Sequence, residues 1–258
     1  MINLDLINVF LIAVGVTNLF LSFVVFFHDV KKRRFNIIFA LNALVVTAWT
    51  FSMMIFRSVP VEYAELSLRL LYVVPPFIPV MFMLFSLEFT KQIQPKHAGS
   101  LFLVSGAVVS AFVLSIISCA TNLIVYGVTF PLIGEREFSF GLLYPYYAIH
   151  ISVFFSVAFF TLFDALKLSN ATQRRQIFAL IGGVGGTAIV GLITNLYLPW
   201  TGYFGLDWTG NLMTLIYISF IFYATLRLGL FDLKVIVTEI LALMILSALL
   251  IDVAVSRS

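Results

Sequence analysis

Apolar residues along the chain come in continuous runs of roughly twenty, separated by short stretches that collect the charges, prolines and glycines. Twenty helical residues cover about 30 Å, the thickness of the hydrocarbon layer of a bilayer. Spanning requires every main-chain polar group to be paired internally, so a helix or a closed barrel must form. The runs do not alternate apolar with polar positions, which excludes the barrel. The pattern predicts seven transmembrane helices at 6–27, 35–56, 66–90, 101–120, 146–168, 177–198 and 210–229, and an eighth hydrophobic segment at 236–255. The fold class is thus all-α: a seven-transmembrane helix bundle with an additional C-terminal helix.

Composition agrees. Of 258 residues, 62% are hydrophobic and 10% charged, against about 25% charged in soluble domains. Lysine and arginine in short loops set orientation. Eleven basic residues fall on one side: Lys31, Lys32, Arg33, Arg34, Lys91, Lys96, Lys167, Arg174, Arg175, Arg227 and Lys234. The opposite side holds Arg57, Arg69, Arg136 and, if the last segment crosses, Arg257. This bias predicts a multi-pass protein of the cytoplasmic (inner) membrane with its N-terminus outside. It also accounts for the net charge of +3 without nucleic acid.

The longest stretch between spans, 120–145, is expected outside. Leu123 to Val128 and Glu137 to Leu142 flank Pro131 and Gly134 there, a pattern that fits either a short surface β-hairpin or a solvated loop.

Several chemistries lack their residues. A retinal Schiff base needs a lysine in span seven, and none stands between Gly210 and Leu228. His28, His97 and His150 lie in separate segments with no HExxH spacing, so no metal site is expected. Cys119 is the single cysteine, leaving no intrachain disulfide. Gly182, Gly183, Gly185 and Gly186 fall inside an apolar span, where small residues serve close helix packing. No catalytic residue, metal or cofactor is expected.

Polar side chains within spans cost about 2–3 kcal/mol by insertion scales and so mark function. Trp49, Arg69, Tyr72, Pro76, His150, Asn195 and Asn211 fall in the same outer layer of five spans. Arg69, Tyr72, Pro76, Pro79 and Met83 trace one face of span three, and Pro75, Pro76 and Pro79 should kink or unwind it. These seven residues predict an outward-facing pocket around Arg69 for a small anionic or amphiphilic ligand. The blander reading is an interfacial aromatic belt, which suits Trp208 and Tyr146, with Arg69 reaching toward headgroups.

The second half carries a family likeness. Gln173-Arg174-Arg175-Gln176-Ile177 precedes the Gly-rich span six, which ends in Asn195-Leu196-Tyr197-Leu198-Pro199. Span seven closes on Tyr223 to Leu233, ending Leu230-Phe231-Asp232-Leu233. With Leu71-Tyr72, Pro75 to Pro79, Phe89-Thr90 and Gly141 to Tyr144, the chain resembles the N-terminal seven-helix sensor region of bacterial and archaeal membrane histidine kinases over roughly 5–235. The resemblance implies a sensory input module, residues 1–234, that passes a signal by helix movement to a cytoplasmic kinase not present in this chain. Residues 235–258 depart from the pattern and read as an interrupted extra helix. Expected partners are the lipid bilayer, a small-molecule ligand from the outer side, the kinase module and a second copy of the chain. The competing reading is a small transporter or channel subunit, which would want polar groups continuing through the midplane.

Overall fold

The computed structural model describes residues 5–27, 33–91, 93, 101–130 and 136–228. Lys31, Lys32, Pro131, Gly134, Lys234, the 234/235 boundary and the segment 236–255 lie outside the described residues. The chain runs as α1 (Leu6–Phe27), α2 (Arg33–Ser58), α3 (Val61–Val73), α4 (Phe77–Lys91) and α5 (Leu101–Ala120). A hairpin of β1 (Val125–Thr129) and β2 (Glu137–Phe140) follows, then α6 (Tyr144–Ala165) and α7 (Ala171–Gly191). A π-helical turn (Leu192–Tyr197) continues α7 into the short α8 (Leu198–Trp200), and α9 (Thr209–Leu228) ends the described chain. Among the described residues, six helical stretches are long and apolar enough to cross a membrane: Leu6–Phe27, Arg34–Ser58, Val61–Lys91, Leu101–Ala120, Tyr144–Ala165 and Ala171–Trp200.

Local chemistry explains the boundaries. Asn170 opens α7 with a capping box: its side chain accepts from Gln173 N at 2.9 Å, and Gln173 Oε1 accepts from Asn170 N at 3.0 Å. Span three is interrupted at its proline pair. Pro75 and Pro76 have no N–H, so Leu71 and Tyr72 lose their i+4 donors. The chain there makes tighter bonds, Phe77 N to Val74 O and Ile78 N to Pro75 O, both 3.1 Å, before α4 resumes.

The hairpin pairs Val125 with Phe140 and Thr129 with Glu137, with a bulge between Tyr126 and Thr129. Gly127 sits in that bulge at φ 69°, and its N–H and that of Val128 donate to Glu65 of α3 at 2.9 and 3.4 Å. Arg136 donates to the main-chain carbonyls of Phe56 and Val59 at the end of α2. At Gly141 a side chain would collide with the Leu123 carbonyl.

The buried apolar residues form two clusters. At the hairpin end Trp49, Met53, Phe56, Tyr72, Phe138, Tyr144, Tyr147 and Phe204 pack together. At the far end the core is phenylalanine-rich, with Phe35, Phe39, Phe82, Phe85 and Phe89; Phe35 and Phe85 centroids lie 4.9 Å apart. There Arg34 of α2 also pairs with Glu88 of α4 at 3.5 Å. α7 and α9 pack through glycine, and a Cβ on Gly183 would lie 2.6 Å from Phe220 Cβ, whereas one on Gly186 would meet nothing. Gly183→Val should therefore cost about 1–3 kcal/mol through overpacking, and Gly186→Ala should stay within about 0.5 kcal/mol of the parent. Unfolding titrations in mixed micelles would measure both.

Candidate functional site

Between the two clusters lies a narrow cavity, open on one side. From α2 it takes Asn42, Val46, Trp49 and Met53, a stripe with helical spacing along one face. Span three adds Tyr72, Pro75, Ile78 and Phe82, and α6 adds Tyr147, Ile151 and Phe155. Thr187, Gly191 and Asn195 come from α7 and its π turn, and Thr214 and Tyr217 from α9. Phe138 of β2 and Asp207 of the α8–α9 loop close the hairpin end.

Two irregular turns border this space, and α6 holds both. Tyr147 Oη donates to the Tyr72 carbonyl at 3.0 Å, one of those released by the proline pair. His150 Nε2 lies 3.0 Å from the Pro76 carbonyl; since a carbonyl only accepts, Nε2 carries the proton, and Nδ1 meets Ser110 Oγ at 3.1 Å. Ser115 and Ser118 of α5 donate to the Val73 and Arg69 carbonyls at 2.6 and 3.3 Å. The π turn has a matching cause in Pro199, whose ring and missing N–H disturb the carbonyl four residues earlier. Here Tyr144 Oη donates to the Leu196 carbonyl at 2.7 Å.

The residues singled out from the sequence separate into two groups. Trp49, Tyr72 and Asn195 line the cavity. Arg69 is turned away from it toward α5 and the hairpin, bonding Glu65 at 3.4 Å and Asn122 at 2.5 Å. Pro76 and His150 form the carbonyl contact just described, behind the cavity wall. Asn211 is fully buried, and its amide has no hydrogen-bond partner among the described residues. The cavity face of span three is thus Leu71, Tyr72, Pro75, Ile78 and Phe82, rotated by about one residue from the Arg69–Pro76–Pro79–Met83 face. Tyr146 is exposed, as a belt residue would be. Sequence reading passed over Asn42, Tyr147, Asp207 and Tyr217. Asn42 and Tyr217 are polar groups inside spans and carried the same signal as those chosen.

With this geometry in view, the sequence matches the family described as the N-terminal 7TM region of histidine kinase over residues 10–234. The chain belongs to this family. No curated protein and no solved structure matches it. It is a membrane sensory input region, multi-pass and associated with histidine kinases; the region is not itself catalytic.

Removing one carbonyl donor isolates its contribution. Tyr147→Phe should lower stability by about 1 kcal/mol with the ring packing kept, an effect readable by unfolding in mixed micelles.

Proposed function

We propose that this region detects a small, uncharged and largely apolar molecule in the cavity and transmits its presence by helix movement to a cytoplasmic histidine kinase. The observation that carries this reading is the placement of the cavity between two non-α turns, at Val74–Pro76 and Leu192–Tyr197. Irregular backbone at membrane depth is tolerated where it is buried in protein or lines a cavity, and π turns cluster at functional sites. Asp207 is the single charged residue among the described residues lining the cavity, and Arg69 lies outside it, so an anionic ligand finds no counter-charge among them. Transmission requires the ligand to prefer one of two helix arrangements by about 1–3 kcal/mol.

Gly191 offers a clean test. It lines the cavity, and a Cβ there would meet nothing within 4 Å, so Gly191→Leu starts from open space and adds bulk at the cavity wall. In a histidine kinase with this chain as its input region, autophosphorylation should become unresponsive to membrane extracts that modulate the parent. A Gly191→Leu protein that keeps the full response would remove the cavity from the mechanism.

We further propose seven crossings with the N-terminus and the hairpin outside, on the strength of eleven basic residues on one side against Arg57, Arg69 and Arg136 on the other. Cys119, the single cysteine, is exposed at the hairpin end of α5. A membrane-impermeant maleimide should label it in intact cells; labelling only after permeabilisation would invert the topology.

A further inference from the structure

The far end of the cavity has a chemistry of its own. Asn42 of α2 and Tyr217 of α9 both line the cavity and are 3% and 5% exposed. Their side chains bond to each other, Asn42 Nδ2 to Tyr217 Oη at 3.2 Å. Asn42 Oδ1 then has no hydrogen-bond partner among the described residues, and the Tyr217 hydroxyl hydrogen remains to be given. Turning the Asn42 amide over exchanges these roles without changing the result. Either way the pair keeps an acceptor and a donor to offer. No cationic residue is among the described residues that line the cavity. A carboxylate head could take the donor and would leave the acceptor facing negative charge.

The rest of the wall runs away from this pair as an apolar strip. Asn42 and Trp49 are seven residues apart on α2, about 10 Å along its axis, with Val46 between them on the same face. Ile78, Ile151, Phe155 and Val184 line the cavity opposite. We infer that the cavity takes an elongated apolar molecule with an uncharged hydroxyl-type head, and that the head sits between Asn42 and Tyr217, donating to one and accepting from the other. This rests on the reading of the cavity as the ligand site and adds the ligand's chemical class and direction.

The experiment uses Trp49 as reporter, with Trp200 and Trp208 replaced by phenylalanine, in the whole chain in lipid nanodiscs. The probes are 10-bromodecan-1-ol and its methyl ether, which has the same body but donates no hydrogen bond. With the hydroxyl at Asn42, the extended chain brings the bromine beside Trp49, where it quenches. The alcohol should quench saturably and half-saturate at a concentration about tenfold below the ether, the equivalent of one buried hydrogen bond. Asn42→Leu should bring the alcohol to the level of the ether. Tyr217→Phe, which removes only a hydroxyl, gives the second arm should Asn42→Leu not fold. Equal quenching by alcohol and ether in the parent overturns the head-group assignment while leaving the cavity as a ligand site. A preference for the alcohol that survives both substitutions also overturns it. Quenching that rises linearly with probe in the bilayer, without saturation for either probe, overturns the ligand site itself and the inference with it.

Discussion

A main-chain carbonyl without a donor is costly in an apolar interior, and this protein releases several of them where its spans carry proline. The structure depends on catching those oxygens. From α6, Tyr147 catches the released Tyr72 carbonyl, while His150 and Tyr144 bond the Pro76 and Leu196 carbonyls in the same two irregular turns. α5 supplies Ser115 and Ser118. One helix thereby fixes the two irregular turns on either side of the cavity, which could not stay open if the spans around it were regular and freely packed. Main-chain distortion and binding space have a common origin in the prolines.

The spans themselves were legible because their signal is long and one-dimensional. Six of the expected segments coincide with helical stretches long and apolar enough to cross a membrane, their ends differing by up to six residues, and the break in span three falls at Pro75 and Pro76. The hairpin, which the sequence left open against a loop, forms because Glu65 and Arg136 hold it by its main chain and by that of α2. The site was only partly legible. Arg69 looked central because a charge in a span is expensive, yet Glu65 one turn away and Asn122 fifty-three residues on draw its guanidinium away from the cavity. The first of these partners could be read from spacing; the second depends on how the α5–β1 connection folds back.

The rotation of the span-three face has a similar reason. Extrapolating a helical stripe from Arg69 through Met83 assumes an unbroken helix, and the turn at Val74–Pro76 resets the phase. The π turn, too, had a sequence signal in Pro199, but a proline near a helix end ordinarily means termination. Tyr144 bonds the main chain within that turn, at the Leu196 carbonyl next to the Asn195 carbonyl that Pro199 releases. Such pairings between distant segments leave no periodic trace in the chain.

The interruption of span three has a mechanical consequence. α3 has 13 residues and α4 has 15, arms of about 20 and 22 Å at 1.5 Å per residue. A regular helix bends along its whole length, while one with a single weak turn pivots at that turn. Here the fulcrum is close to the middle. A change in the angle between the two arms is therefore concentrated at mid-length, and neither arm has the greater reach.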